Sequence, residues 1–148
     1  MRDREIGAFV PSGILYRLRM NDGDAIVLVD HGSRRPEANG HIDKLASLLI
    51  EQRPGWLVCS AHLELSEPCV PEVIDGCVRE GACRIFLHPF FLLPGRHTRD
   101  DLPRLAEEAR ERHPGLSIHV TETLGLDPKL VQIVLDRIDQ AAKAADET

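Results

Sequence analysis

Four apolar runs, each handing over to a stretch with helical spacing, constrain this chain more than any other feature of it. The first, Ala25 to Val29 (AIVLV), is unbroken, as expected of a strand covered on both faces. After it Pro36 suits the first turn of a helix, and Ile42, Leu45, Leu48 and Leu49 recur at helical spacing until Arg53, just before Pro54-Gly55. WLVCSAHL (Trp56 to Leu63) reads as the second strand. Past the Ser66-Glu67-Pro68 turn, Val70, Val73, Ile74, Cys77 and Val78 form a helical stripe that Gly81 ends. RIFLHPFFL (Arg84 to Leu92) is the third strand, with Pro89 near its end, where a missing N–H is tolerated. A loop, LPGR, leads to a third helix with Asp100 and Asp101 in its first turn and Leu102, Leu105, Ala106 and Ala109 along it. LSIHVTET is the fourth strand, and Asp127-Pro128 caps a last helix carrying Leu130, Val131, Val134, Leu135 and Ile138. This alternation predicts one α/β domain over residues 24–148, a four-stranded parallel sheet with helices on both faces and right-handed crossovers.

Residues 1–23 stand outside the alternation as an N-terminal extension, in which ILYRLRM reads as an extra edge strand or hairpin. Its Ile6, Phe9, Val10, Ile14, Leu15 and Tyr16 suit a segment that covers the domain or a partner subunit. At 148 residues, 43% hydrophobic and 28% charged, the chain has the makeup of a soluble globular domain with a real core. A net charge of -6 argues against general nucleic-acid binding, which needs a basic face. No apolar stretch approaches the roughly eighteen residues of a membrane helix, and the N-terminus lacks the pattern of a signal or transit peptide. A cytoplasmic protein is expected. Cys59, Cys69, Cys77 and Cys83 show no CxxC pair and no zinc-ribbon spacing, so free, mostly buried thiols are expected.

The candidate chemistry lies where strands hand over to loops. His31 closes AIVLVDHGSRR and His97 sits in IFLHPFFLLPGRHTRDDLP, each at the carboxyl end of a strand. In open α/β sheets that edge holds the ligand crevice. A turn histidine that only caps or hydrogen-bonds is the plain reading of His31, and a solvated loop residue that of His97. Taken together, two imidazoles facing one crevice suit a divalent metal or proton transfer near neutral pH. HLELSEP adds Glu64 and Glu67 past the second strand, either an ordinary loop acid or a carboxylate that completes a metal site or accepts a proton. Arg34, Arg35, Arg96 and Arg99 stand out in an acidic protein and suit a polyanion, with Ser33 of the same turn in the substrate-binding set. His62 is a secondary candidate, while His41, His88, His113 and His119 are assigned to helices and strand interiors.

DHGSRR, HLELSEP and FFLLPGRHTRDDLP, in this order, resemble the small class II chelatases of sirohaem and cobalamin biosynthesis, from about Ala25 to the last helix. The likeness is nearest to the sirohydrochlorin ferrochelatases. It implies a chelatase fold, an open sheet of the flavodoxin-like kind, with no nucleotide and no permanently bound cofactor. It also implies insertion of Fe²⁺ or Co²⁺, as substrate metal, into sirohydrochlorin. By resemblance the metal-handling histidines are His31 and His97, and the active-site glutamate is Glu64. His62 stands where relatives often carry another residue. Plant members bind an iron–sulfur cluster through a C-terminal cysteine pair, and with no cysteine after Cys83 no cluster is expected. Nickel and cobalt users among relatives leave the metal open. Two other functions fit parts of the pattern. One is a non-catalytic carrier of metal or tetrapyrrole. The other is phosphoryl transfer like that of histidine phosphatases, which need an arginine directly before the histidine, where this chain has Asp30. One crevice wall per domain, set against a large macrocycle, predicts a two-fold homodimer.

Overall fold

In the computed structural model, which describes residues 14–15 and 23–146, the four apolar runs become parallel strands. The elements in chain order are β1 (Ile14–Leu15), β2 (Asp24–Asp30), α1 (Pro36–Gln52), β3 (Leu57–His62), α2 (Val70–Arg79), β4 (Arg84–Pro89), a π-helical turn (His97–Asp101), α3 (Leu102–Arg112), β5 (Ser117–Val120) and α4 (Pro128–Asp146). The sheet order is β1-β3-β2-β4-β5. The expected four strands are joined at one edge by β1, which pairs antiparallel with β3 (Ile14↔Cys59, Leu15↔Val58). The edge-strand reading of ILYRLRM holds for these two residues, and its remainder lies outside the described ones.

Period-two alternation sorts the strand side chains between two layers. Ala25, Val27 and Val29 face α2 and α3, in a core with Val73, Ile74, Leu87, Leu102, Ala106 and Ile118. Ile26 and Leu28 face the other way, toward Ile42, Leu45, Ala46 and Leu49 of α1. The continuous apolar run of β2 is thus explained by helices on both sides of it. At the amino edge Arg84 grips the buried Asp24 with both fork nitrogens, at 2.7 and 2.6 Å, and fixes the register of β2 against β4.

Two expectations change. His97 was expected in the loop and the third helix near Asp100. Instead His97 opens a π-helical turn, with the Leu102 N–H reaching the His97 carbonyl, and this turn runs directly into α3. Cys59 and Cys77 are buried and Cys69 partly so, but Cys83 is exposed. The last helix forms as expected, yet Val131, Val134, Leu135 and Ile138 remain 48–61% exposed. No described helix is long and apolar enough to cross a membrane.

Candidate active site

Parallel pairing sets the carboxyl ends of β2, β3 and β4 side by side, with Asp30 opposite His62 and Val29 opposite Pro89. The three connections that leave these ends carry His31, Glu64 and His97. Each offers a ligand atom, and these atoms all lie within 4.8 Å of one another. The His31 and His97 rings meet edge to face with centroids 4.9 Å apart, and His97 Nε2 lies 3.5 Å from Glu64 Oε1. His31 is exposed and His97 half-buried, so the cluster opens to solvent.

Each member is held from behind. Asp101 accepts the Nδ1–H of His97 at 2.7 Å, one turn along the same element. That bond fixes the tautomer and leaves Nε2 turned to the crevice, the usual role of a carboxylate behind a ligating histidine. His31 packs on the Phe91 ring at 4.5 Å. Its carbonyl accepts the N–H groups of Glu64 and Leu65 at 3.3 Å, so the first and second loops are stitched directly together. Beneath them Asp30 accepts from the Gly32 N–H at 2.8 Å and pairs with Nδ1 of buried His62. Asn39 closes the βα turn by accepting the Ser33 N–H at 2.8 Å and donating to the Ser33 carbonyl and Ser66 Oγ at 2.9 Å. Gly32 has φ +77°, and a Cβ there would stand 2.9 Å from that of His62, so this turn requires glycine.

The candidates therefore divide. His31, Glu64 and His97 come together. Glu67 does not: its carboxylate accepts the Cys69 N–H at 2.9 Å, as does Glu72 at 3.2 Å, and both serve the first turn of α2. His62 is 3% exposed and engaged with Asp30, which makes it a support under the crevice floor and not a wall of it. Arg34, Arg35, Arg96 and Arg99 are all exposed, on the connections that carry His31 and His97, and among the described residues no carboxylate pairs with them. Ser33 Oγ accepts the Arg35 N–H at 3.1 Å, a turn-forming contact. Asp101, Asp30 and Phe91 belong to the site although sequence reasoning gave none of them a role there. The four-residue spacing of His97 and Asp101 was the one signal available for any of them.

Phosphoryl transfer fits this geometry poorly, because a carboxylate (Asp30) stands directly behind His31 where that chemistry needs a cation. Two imidazoles and one carboxylate, with exposed arginines on the same connections, instead suit a divalent metal held by few ligands beside a polyanion.

Comparison with known proteins agrees with that chemistry. The CbiX family model matches residues 25–141. The chain is 38% identical over 137 residues to the chloroplastic sirohydrochlorin ferrochelatase of Arabidopsis thaliana, covering 93% of this chain and 61% of that one. It is 33% identical over 138 residues to the sirohydrochlorin cobaltochelatase of Methanocaldococcus jannaschii, covering 77% of this chain and 96% of that one. The chain thus spans under two thirds of the plant relative, and 44% of a Priestia megaterium ferrochelatase. Among solved structures it is similar to the sirohydrochlorin chelatase SirB of Bacillus subtilis subspecies spizizenii in complex with cobalt, with TM-score 0.74, 28% identity, and coverage of 79% of this chain and 50% of that one. It is similar also to a CbiX cobalamin biosynthesis protein from Marinobacter aquaeolei, with TM-score 0.69, 27% identity, and coverage of 82% and 98%.

Proposed function

The chain belongs to the CbiX family, and we propose that it is a sirohydrochlorin chelatase, inserting Fe²⁺ or Co²⁺ into the tetrapyrrole ring. The observation that carries this reading is the convergence of His31, Glu64 and His97 from three connections onto one solvent-facing point. Metallation needs a metal held by few enough ligands to leave, and a base for each of the two pyrrole protons displaced. The three side chains supply both. His97, with Nδ1 held by Asp101, presents Nε2 to the metal or to a pyrrole proton. Glu64, 3.5 Å away, takes a share of the positive charge on the metal or on a protonated His97. The exposed arginines on the connections that carry His31 and His97 suit the peripheral carboxylates of the ring, which keep their charge throughout.

The metal is substrate here, and no permanently bound cofactor is assigned. A homodimer supplies a second wall for a macrocycle that one crevice cannot enclose. The thiols of Cys59, Cys69 and Cys77 fit a reducing compartment, for which we take the cytoplasm. The test follows sirohydrochlorin absorbance with Fe²⁺ or Co²⁺, with and without the protein. Insertion faster than the spontaneous rate is expected. Stoichiometric binding of metal or ring with no acceleration would instead make the protein a carrier.

A further inference from the structure

The ladder between β2 and β3 ends at Asp30 opposite His62, and His31 is the next residue of the chain. The rung before it, Val29 opposite Ala61, is apolar and fully buried. The last rung instead sets a carboxylate against an imidazole. His62 is buried and donates its Nδ1–H to Asp30 Oδ1. The same oxygen accepts the Gly32 N–H at 2.8 Å. Alongside, the Asp30 carbonyl accepts the Leu63 N–H at 3.0 Å, and the His62 N–H reaches the Pro68 carbonyl at 2.9 Å. One carboxylate oxygen thus joins the root of the connection that carries Glu64 to the backbone of the turn that carries His31. Apolar residues of similar volume serve as well or better than a buried polar pair for stability alone. What they lack is direction, which a hydrogen bond to a fixed N–H supplies.

We infer that Asp30 and His62 are positioning residues for the metal cluster. His62 Nδ1–H holds the Asp30 carboxylate, Asp30 holds the Gly32 N–H, and His31, between Asp30 and Gly32 in the chain, is thereby aimed at Glu64 and His97. The inference rests on the chelatase reading of this site and names what aligns it. His62 is buried, and the Asp30 oxygen is already taken by two donors, so both residues act through His31. Alignment matters here because the three ligand atoms come from three separate connections. A site with so few ligands depends on the aim of each, and groups that orient a ligand typically account for about tenfold to a hundredfold in metal affinity or activity. Asp101 orients His97 through its own ring nitrogen. His31 has no such carboxylate partner among the described contacts of its ring, which packs on Phe91 and His97, so its aim comes from the turn beneath it.

The experiment titrates the protein with Co²⁺ alone and reads the visible absorption of the bound ion, which reports ligand number and geometry. Melting temperature is recorded for each variant. His62→Leu keeps a similar volume without the N–H, and His62→Asn returns an amide N–H close to the place of Nδ1. His62→Leu should bind Co²⁺ about tenfold more weakly than the wild type, with an altered spectrum. It should melt within a few degrees of the wild type, because Asp30 reaches solvent (24% exposed) and keeps the Gly32 N–H, so no charge is stranded. His62→Asn should recover most of the affinity and the wild-type spectrum. In insertion assays His62→Leu should lower kcat more than it raises KM for the ring. Asp30→Ala, which leaves the His62 ring in place, carries the same expectation and decides the matter if His62→Leu does not fold. Wild-type Co²⁺ affinity and spectrum in folded His62→Leu or Asp30→Ala would overturn the inference. So would equal losses in His62→Leu and His62→Asn, the mark of a side chain that only packs. A wild type that binds no Co²⁺ would overturn it together with the metal cluster. Wild-type insertion no faster than the spontaneous rate would remove the chelatase reading alone, since the Co²⁺ titration still reads the pair.

Discussion

Asp101 does for His97 what no residue of the metal cluster can do for itself. An imidazole free to flip presents either nitrogen to the crevice, and the 2.7 Å bond to Asp101 selects Nε2. Asp101→Asn should therefore lower turnover and metal affinity by about tenfold to a hundredfold, the usual loss when the group behind a ligating histidine is changed. Metal titration together with turnover checks this, and unchanged metal affinity would make Asp101 a helix-end acid only. Gly32 bears on the same site through the backbone. Gly32→Ala forces a Cβ into a φ of +77° and to within 2.9 Å of the His62 Cβ. A stability loss of about 1–3 kcal/mol is expected, together with reduced turnover, since His31 rides on that turn; denaturant unfolding and rate measurements on one preparation check both. His31, Glu64 and His97 were legible in the sequence because each lies on the connection that leaves the carboxyl end of a strand, and parallel strands share an edge. Asp30 and His62 were not legible as a pair. They are 32 positions apart, and only the β2–β3 register puts them opposite each other.

At the scale of elements, the strands and helices were readable because their signals are local. Pro36 and Pro128 open helices, Gly81 and Gly115 close them, and apolar runs bounded by such residues leave little choice. The π-helical turn was not readable, since one extra residue in a helical start leaves no mark on the apolar spacing. Nor was the exposure of α4, whose stripe reads the same whichever chain it packs against. His88 shows what an apolar setting costs a titratable group. It lines an apolar groove with Ile26, Leu28, Phe86, Phe90 and Leu124, its Nδ1 2.7 Å from Thr121 Oγ1, with Arg53 the one charged residue of the lining. Burial lowers its pKa, so the folded state resists the proton that the unfolded state accepts. Stability should therefore fall as pH drops from about 6.5 toward the lowered folded value. His88→Gln should flatten that part of the curve. Thermal unfolding of both proteins from about pH 7.5 to about pH 5.5 checks this, and parallel curves would contradict it.

Across the whole molecule, an acidic chain carries four exposed arginines on the connections that hold His31 and His97, with no carboxylate partner among the described residues. Peripheral carboxylates stay ionised through metallation, and arginine contacts to them are the same in ground and transition states. Charge reversal at Arg34, Arg35, Arg96 or Arg99 should raise KM for the ring more than it lowers kcat, and added salt should weaken the wild type likewise. Steady-state kinetics across a salt series checks this. The central claim is that His31, Glu64 and His97 form one metal-inserting centre. Its most direct test is single-turnover insertion of Fe²⁺ or Co²⁺ into sirohydrochlorin by the wild type, His31→Ala and His97→Ala, with thermal stability measured on the same samples. Both variants should insert metal at least about tenfold more slowly, as lost base catalysis entails, while melting within a few degrees of the wild type. Wild-type rates in either variant, or a wild-type rate no faster than the spontaneous reaction, would contradict it.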